Sequence, residues 1–328
     1  MDPTIRDTDG RGDARRTRPP DRRALITGGA GFVGVNTAAH LIKEGWAVTL
    51  LDNLSRPGTE RNLKWILTRY PTRARFVKDD VRNADAIAQH VRGQDAVLHL
   101  AAQVGVRASI DDPVTDFDVN ARGTLNLLEA VRAHNHDAPV LYTSTVRVTA
   151  PPDRRTPYAG SKGAADSYVR DYARVFEMNT VVLRLDSVYG AHQYGNEDDA
   201  WVAQFTHSIL GDRPITISGD GTHVRDLLDI RDLSALVATA VDKIAIARGE
   251  VYDAGGGAAN RRSALEVVDQ IGELTGRKAR YDFAEARDDD VSYHVSDIEK
   301  ARRDLGWEPK IDFVRGLRTL VAWAESVR

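Results

Sequence analysis

The stretch from residue 23 to residue 52 constrains the fold of this chain more than any other. It consists of a short apolar strand, a glycine-rich loop, a helical pattern and a second strand, at residues 24–27, 28–34, 35–44 and 47–51. Gly28, Gly31 and Gly34 would allow a tight turn, a close approach of the backbone to a pyrophosphate, and close packing of helix on strand. Because a helix N-terminus attracts negative charge, the pyrophosphate would lie there. This order of elements is typical of a dinucleotide-binding unit.

The acidic residue after the second strand indicates which dinucleotide is bound. Asp52 lies eighteen residues after Gly34, close to where a ribose hydroxyl must be accepted. A carboxylate there favours NAD, because it repels the additional phosphate of NADP. Arg56 lies nearby and could receive that phosphate, so NADP is the alternative at this point.

Strand patterns go on alternating with helical patterns through the first half of the chain, at residues 74–78, 96–100, 140–143 and 181–185. This alternation predicts an α/β fold of the Rossmann type, a doubly wound parallel sheet with helices on both faces. We assign residues 23–189 to this NAD-binding domain.

The pattern is less regular beyond residue 189. Short strands are predicted at 215–218 and 251–254, and helices at 263–275 and 297–305. We therefore expect residues 190–328 to form a smaller C-terminal substrate-binding lobe, with some segments returning to the sheet. Residues 1–22 are rich in Arg, Asp, Gly and Pro and lack an apolar centre, which predicts a disordered tail.

Composition excludes several classes of site and partner. The chain contains no cysteine, so disulfides, thiolate nucleophiles and cysteine-based zinc sites are excluded, and no metal site is predicted. Its net charge of -3 carries no basic excess that would indicate a nucleic-acid partner. No apolar run approaches the ~20 residues of a membrane span. We expect a cytoplasmic protein.

A tyrosine and a lysine four residues apart form the candidate catalytic pair. Tyr158 and Lys162 would lie on one face of a helix, about one turn from each other. An ammonium group at that position favours the phenolate and lowers the pKa of a tyrosine, which is ordinarily about 10. The pair therefore predicts a general base that works near neutral pH.

Apolar stripes at helical spacing occur in two places. One comprises Thr124, Leu125, Leu128 and Val131, and a second follows Tyr158. Such stripes most often form core, but two of them on one side could also pair as a four-helix bundle across a two-fold axis. We predict a homodimer, with internal packing of the stripes as the alternative.

Together these motifs resemble the extended short-chain dehydrogenase/reductase family. The general resemblance is carried by TGGAGFVG at 27–34, LLDN at 50–53, the acidic pair at 79–80, HLAAQ at 99–103 and SKGAADSYVRDYAR at 161–174. Within the family the chain is most similar to nucleotide-sugar epimerases of the CDP-tyvelose (CDP-paratose) 2-epimerase type. That likeness is carried by DNLSRPGTERNL at 52–63, NARGTLNLLEA at 120–130 and YGNEDDAWVAQF at 194–205.

The resemblance implies NAD as the cofactor and a defined set of residues around it. The implied cofactor-binding residues, besides Tyr158 and Lys162, are Gly28, Gly31, Phe32, Val33, Gly34, Asp52, Asn53, Asp80, Val81, Leu100, Ala101 and Ala102.

The resemblance also implies the catalytic roles. Thr145, with Ser144 as the alternative, would hydrogen-bond the sugar hydroxyl, and Tyr158 would take its proton while hydride passes to the nicotinamide. Lys162 would hold the ribose hydroxyls and stabilise the phenolate. The resulting ketone would turn over in the pocket, and the hydride would return to its opposite face.

The nucleotide-diphosphate sugar would be held by arginines, because guanidinium groups bind phosphate oxygens bidentately. Arg225 in GDGTHVRDLLD and Arg287 in EARDDDVSYHVSD match arginines of the family. Ser187 in RLDSVYG stands where many relatives have Asn. These three are the predicted substrate-binding residues.

The chain departs from the family pattern after Thr145. Val146-Arg147 replaces the Asp-Glu of sugar dehydratases, and nucleotide-sugar decarboxylases carry a Glu in the same region. Because elimination needs a carboxyl group beside the tyrosine, both classes are disfavoured. The usual Val-Tyr-Gly is replaced at 148–150, and only twelve residues separate Thr145 from Tyr158. This short segment predicts a more open sugar pocket.

The leading hypothesis is an NAD-dependent nucleotide-sugar epimerase, with carbon 2 slightly preferred. The alternatives are a 4-epimerase or a net sugar dehydrogenase of the same fold, in a secondary-metabolite pathway if the open pocket takes an unusual sugar. A non-catalytic NAD(H) sensor is disfavoured, because a sensor does not need the pair Tyr158 and Lys162.

Overall fold

In a computed structural model the chain is described at residues 22–194, 200–286 and 291–328, and thirteen strands lie in these ranges. The strands are β1 (Arg23–Thr27), β2 (Ala47–Asp52), β3 (Ala74–Lys78), β4 (Ala96–His99), β5 (Val140–Thr145), β6 (Thr180–Leu185), β7 (Ser187–Tyr189), β8 (Ile215–Ser218), β9 (Val224–Asp229), β10 (Val251–Ala254), β11 (Arg261–Ser263), β12 (Tyr281–Ala284) and β13 (Tyr293–His294).

Thirteen α-helices lie in the same described ranges. They are α1 (Phe32–Lys43), α2 (Thr59–Arg69), α3 (Ala84–His90), α4 (Val106–Asp111), α5 (Pro113–Phe117), α6 (Gly123–His134), α7 (Pro157–Val175), α8 (Trp201–Leu210), α9 (Ile230–Asp242), α10 (Ile244–Ala247), α11 (Ala264–Thr275), α12 (Glu299–Leu305) and α13 (Phe313–Ser326). A π-helical turn, Asp118–Arg122, joins α5 to α6.

Seven parallel strands form the central sheet, in the order β10-β6-β5-β4-β1-β2-β3. The strand order reverses between β1 and β4, which is the switch point of a doubly wound sheet. The prediction of a Rossmann-type parallel sheet is confirmed. β10 lies beyond residue 190 and pairs with β6, so part of the second half of the chain belongs to the sheet. The domain boundary at residue 189 stays a prediction.

Alternate residues of the central strands pack on opposite faces of the sheet, which explains why these strands are apolar throughout. In β1, Ile26 contacts the layer that contains α1 and α9, and Leu25 contacts the layer of α3, α6 and α7. The side chains of Ile26 and Leu25 are both fully buried. Two hydrophobic cores, one on each side, therefore hold the sheet.

A smaller group of strands and helices lies outside the central sheet. β9 pairs with β7, β11 and β13, and β8 pairs with β12. A third core lies between β8 and the helices α8, α11 and α13, and contains Phe205, Ile271 and Leu317. This group stands at the carboxyl ends of the central strands, where it covers part of the cavity described below.

The predicted stripe on α6 is mostly internal. Thr124, Leu128 and Val131 are buried, and Leu125 is partly buried against the same core. These residues therefore pack within the subunit. Among the described helices, none is long and apolar enough to cross a membrane. The predicted tail, residues 1–22, lies outside the described residues except for its last residue.

Candidate active site

A cavity of about 760 Å³ lies at the carboxyl ends of the central strands. Its lining includes the loops after β1, β2, β4, β5 and β6 on one side, and residues of β8 and β9 on the other. Because β1 and β4 diverge here, this edge of the sheet is where ligands of doubly wound folds bind.

The cavity brings together sequence-predicted site residues from across the chain. Those lining it are Gly28, Gly31, Phe32, Val33, Gly34, Asp52, Asn53, Asp80, Val81, Leu100, Ala101, Ala102, Thr145, Tyr158, Lys162, Ser187 and Arg225. Arg287 lies outside the described residues. The roles assigned to these residues stay predictions, but their placement fits a single site.

The backbone of the glycine loop leaves no room for a Cβ atom at two of its glycines. A Cβ at Gly34 would lie 2.2 Å from the Gly28 carbonyl oxygen, and a Cβ at Gly28 would lie 2.7 Å from the Ala101 backbone nitrogen. Gly28 also has a φ of 68°, in the left-handed region. Among the described residues, no side chain caps the N-terminus of α1. The loop and the helix N-terminus therefore fit the pyrophosphate of a dinucleotide.

Asp52, the last residue of β2, is tied to the glycine loop. Its carboxylate accepts hydrogen bonds from the backbone N–H of Ala30 at 3.1 Å and of Leu54 at 2.8 Å. Burial raises the pKa of Asp52, while these backbone donors and the charge of Arg56 act in the opposite direction. The carboxylate is thus fixed at the cavity wall, with Arg56 near it.

Asp80 follows the neighbouring strand, β3. It accepts two hydrogen bonds from the Arg82 guanidinium, at 2.9 and 2.8 Å, and one from the Asn53 side chain at 2.8 Å. The pairing with Arg82 holds the pKa of Asp80 well below its usual range. Asp80 is therefore a fixed anion beside Asn53 in the cavity wall.

Tyr158 and Lys162 lie in the first two turns of α7. The helix begins here because Thr156 accepts a hydrogen bond from the Ala159 N–H and Pro157 occupies the first helical position. Lys162 is only 3% exposed, and its ammonium donates to the Thr143 carbonyl at 2.6 Å.

Burial lowers the pKa of Lys162 to about 7, and the carboxylates of Asp116 and Asp166 act in the opposite direction. Both acids are buried. They favour the charged ammonium that the sequence-based hypothesis requires beside Tyr158.

Asn120, which the sequence-based prediction did not include, connects the cavity to α7. Its side chain donates to the Gln103 carbonyl, to Asp116 and to the Ser161 hydroxyl, each at 3.0 Å, and accepts from the Gln103 N–H at 2.9 Å. It lies in the π-helical turn, a distortion that is frequent at functional sites. Asn120 therefore positions Ser161, the neighbour of Lys162.

A buried histidine at the end of β4 supports the loop that follows this strand. His99 shares hydrogen bonds with the hydroxyls of Thr27, at 2.7 Å, and Thr124, at 3.0 Å. Burial lowers the pKa of His99 to about 3, so the ring is neutral at pH 7. Thr27 in turn accepts from the Ala101 N–H at 3.3 Å, which fixes the loop after β4.

The carboxyl end of β5 carries the predicted sugar contact. Thr145 accepts a hydrogen bond from the Arg147 N–H at 3.3 Å, and the neighbouring Ser144 hydroxyl is buried with no hydrogen-bond partner among the described residues. Both residues line the cavity, as does Arg147. The segment after Thr145 forms two short 3-10 turns, Val146–Thr149 and Pro152–Arg154.

Asp186 is a cavity residue that the sequence-based prediction missed. It lies between β6 and β7, next to Ser187, and its environment includes Asp226 and Arg225 of β9. Burial, followed by the repulsion of Asp226, raises the pKa of Asp186 to about 7, while Arg225 and Arg147 act in the opposite direction. This carboxyl group can therefore change its charge near neutral pH.

Two asparagines join the glycine-loop region to the segment that enters the smaller lobe. Asn36 of α1 donates to the carbonyls of Phe32 and Ala191, both at 2.9 Å. Asn62 of α2 donates to the carbonyls of Ala30 at 3.3 Å and His192 at 3.1 Å. The two halves of the cavity wall are therefore held together by side-chain amides.

The chain matches one family model and is similar to several characterised proteins. The match is to the NAD dependent epimerase/dehydratase family, over residues 24–255. The chain is 34% identical over 339 residues to the CDP-paratose 2-epimerase of Salmonella typhi, which covers 93% of this chain and 100% of that protein. It is 32% identical over 341 residues to the dTDP-glucose 4,6-dehydratase of Neisseria meningitidis, with coverages of 92% and 93%.

Among solved structures, the chain resembles the UDP-glucuronic acid 4-epimerase of Bacillus cereus, determined in complex with UDP-glucuronic acid and NAD. The TM-score is 0.85 at 26% identity, and the match covers 93% of this chain and 100% of that chain. Both epimerases and a dehydratase thus share this architecture.

Proposed function

Because the chain belongs to the NAD dependent epimerase/dehydratase family, we propose that it is a nucleotide-sugar epimerase that uses NAD. The observation that carries the proposal is that Thr145, Tyr158 and Lys162 line the same cavity as the glycine loop. Carbon 2 of the sugar is slightly preferred, because a CDP-paratose 2-epimerase is 34% identical over nearly the whole chain. A 4-epimerase or a net sugar dehydrogenase of the same fold is the alternative, and a 4-epimerase is among the similar structures.

NAD would be held by the wall formed by the glycine loop, Asp52 and the loop after β4. Gly28 and Gly34 leave room for its pyrophosphate, and the Asp52 carboxylate would accept from a ribose hydroxyl. When bound there, NAD supplies reversible acceptance of a hydride from the sugar.

The chain's own residues would manage the proton and the orientation of the sugar. Thr145, with Ser144 as the alternative, would hydrogen-bond the reacting hydroxyl, and Tyr158 would take its proton. Lys162 would stabilise the phenolate and hold the ribose hydroxyls. The keto-sugar would then turn within the cavity and regain its proton from Tyr158 at the same hydroxyl oxygen, with no net change in oxidation state.

Epimerisation is favoured over dehydration by the residues that follow Thr145. Val146 and Arg147 supply no carboxyl group there, and elimination needs one beside the tyrosine. Asp186 is a carboxyl group at another part of the wall, so the experiment below includes a direct test for loss of water.

The test is incubation of the NAD-loaded protein with CDP-, UDP-, GDP- and dTDP-sugars, with the products identified by NMR. We expect one epimer of a supplied sugar and no dehydrated keto-sugar. A substrate with deuterium at the reacting carbon is expected to keep its label in ordinary water, because that hydrogen does not exchange with solvent. Loss of the label would indicate deprotonation chemistry, and loss of water would indicate a dehydratase.

The remaining assignments belong to the same proposal. Arg225 and Ser187 would contact the nucleotide diphosphate and sugar, and Arg287 stays a sequence prediction. A homodimer and a cytoplasmic location also stay predictions. The cavity extends from the glycine loop to Arg225 on β9, which supports a nucleotide-sugar substrate beside the dinucleotide.

A further inference from the structure

Asp186, Asp226 and His294, which we call the acid cluster, come from three separate segments and meet where Asp186 lines the cavity. One ligand-type atom of each lies within 4.8 Å of those of the other two. The Asp186 Oδ2 atom lies 3.8 Å from the His294 Nε2 atom, and both atoms are buried with no hydrogen-bond partner among the described residues. Such a group of polar atoms requires a physical explanation.

Asp226 is held rigidly within the cluster. It is fully buried, and its carboxylate accepts from the Gly257 N–H at 3.1 Å and from the Ser296 hydroxyl at 3.3 Å. A Cβ at Gly255 would lie 2.0 Å from the Asp226 Oδ2 atom, so the backbone closes tightly around it. Asp226 therefore cannot move away from Asp186, and two negative charges there would repel each other strongly.

The charged groups nearest Asp186 come from β9, β13 and the turn after β5, and Asp253 of β10 in turn faces His294. Asp226 and Arg225 lie on β9, His294 lies on the adjacent β13, and Arg147 lies in the turn after β5. The two arginines disfavour a metal cation at this place, because a cation would be repelled by both. They instead stabilise an ionised Asp186 while no anion is bound.

Binding of a nucleotide sugar would change this balance. Its diphosphate carries negative charge, and we have proposed Arg225 as its partner. Once the guanidinium of Arg225 faces a diphosphate, it stabilises an ionised Asp186 less, and the diphosphate itself repels that carboxylate. A neutral Asp186 would instead offer an O–H donor to the substrate.

We propose that Asp186, held beside the rigid Asp226, takes up one proton when the diphosphate sugar binds and thereby couples substrate affinity to pH. This inference rests on the proposed function. It predicts tight binding below neutral pH and weaker binding above it, with the proton on Asp186.

The experiment is calorimetric titration of the NAD-loaded protein with CDP-glucose and UDP-glucose, whose diphosphates stay fully ionised between pH 6 and pH 9. Titrations at pH 7.5 in phosphate and in Tris buffer report proton uptake, because the buffers differ in ionisation enthalpy. We expect uptake of about half a proton or more, and a Kd that rises up to about tenfold between pH 7.5 and pH 8.5, as for one linked proton.

Three variants locate the proton. Asp186→Asn mimics the neutral carboxyl group, so it should take up no proton and should bind at pH 8.5 as tightly as at pH 6.5. Asp232→Asn is the matched control, since burial also raises the pKa of Asp232 but this residue lies on α9, outside the cavity wall, and it should behave as the wild type does. His294→Gln should retain the uptake.

Two results overturn the inference alone: binding of either sugar nucleotide by the wild type without proton uptake, or uptake that persists in Asp186→Asn, whether or not it disappears in His294→Gln. If neither sugar nucleotide binds at any pH, this inference fails, whereas the proposed function is decided by the wider panel that includes GDP- and dTDP-sugars. Wild-type titrations that show no proton uptake overturn the inference even if a variant does not fold.

Discussion

Burial sets the charge of individual residues around this cavity. It lowers the pKa of Lys162 to about 7 and raises that of Asp186 to about 7, so a base and an acid that are normally charged at neutral pH both titrate there. Both groups have charged neighbours that partly reverse the effect, namely buried acids for Lys162 and arginines for Asp186. Such opposed shifts within one cavity are typical of a functional site.

The first prediction concerns Tyr158. Tyr158→Phe keeps the ring and removes only the ionisable oxygen, so the protein should fold and bind NAD but lose about 10²–10⁴-fold in turnover, the usual contribution of an acid–base group. The measurement is kcat with the substrate found in the sugar panel, together with NAD affinity by calorimetry. Lys162→Met serves as the comparison and should weaken NAD binding as well. An active Tyr158→Phe protein would contradict the mechanism.

The second prediction concerns the stability of the unliganded protein. The pKa of Asp186 is raised from 3.8 to about 7, so the folded state binds more protons than the unfolded state between these values, and wild-type stability falls as pH rises through that window. Asp186→Asn has no titratable carboxyl group, so the stability of this variant does not fall in this way. Its free energy of unfolding should exceed that of wild type by an amount that grows from pH 4 to pH 7 and then levels off, on the order of 1–3 kcal/mol.

Urea denaturation at several pH values measures this difference. A gap between variant and wild type that stays constant from pH 4 to pH 8 would show that Asp186 does not titrate in this window. The pH dependence is the informative part, because a purely steric effect of the amide would not change with pH.

The sequence predicts the cavity residues that belong to continuous motifs. It does not predict residues whose properties depend on partners far away in the chain. Gly34, Asp52 and Tyr158 stand in recognisable spacings, and all line the cavity. Asp186 carries no such signal, because its properties come from Asp226, forty residues further along the chain.

At the level of elements, the strands predicted from the sequence are short apolar runs, most of which belong to the central sheet. β3, β8 and β10 have the predicted bounds, because short apolar runs are readable without knowing their partners. β9 was not predicted, since Arg225 and Asp226 interrupt its apolar pattern near the start. β11 and β13 have only three and two residues, and they exist because β9 supplies their hydrogen bonds.

The third prediction compares two helical glycines. Gly34→Ala in α1 would place a Cβ 2.2 Å from the Gly28 carbonyl, so it should cost about 1–3 kcal/mol of stability and abolish NAD binding. Gly160→Ala in α7 meets no atom within 4 Å and should stabilise the protein by about 0.5–1 kcal/mol. Urea denaturation and NAD calorimetry measure both, and equal effects of the two variants would refute this account of the loop.

At the level of the whole molecule, the fourth prediction separates internal packing from association. Leu128 is buried within the subunit, whereas Tyr168 and Val175 on α7 are 48% and 52% exposed. If the protein is a homodimer through α7, Tyr168→Asp should give folded monomers in sedimentation velocity, and Leu128→Asp should unfold the chain. A wild type that sediments only as a monomer at micromolar concentration would end the dimer hypothesis.

The position of β10 has a consequence for synthesis of the chain on the ribosome. β6 ends at Leu185, and its partner at the edge of the sheet begins only at Val251. At roughly 5–20 residues per second, the intervening segment takes on the order of 3–13 s to translate, and during that time β6 presents unpaired backbone groups. A nascent chain of this protein therefore carries an open sheet edge for several seconds, which is the interval in which chaperones would protect it.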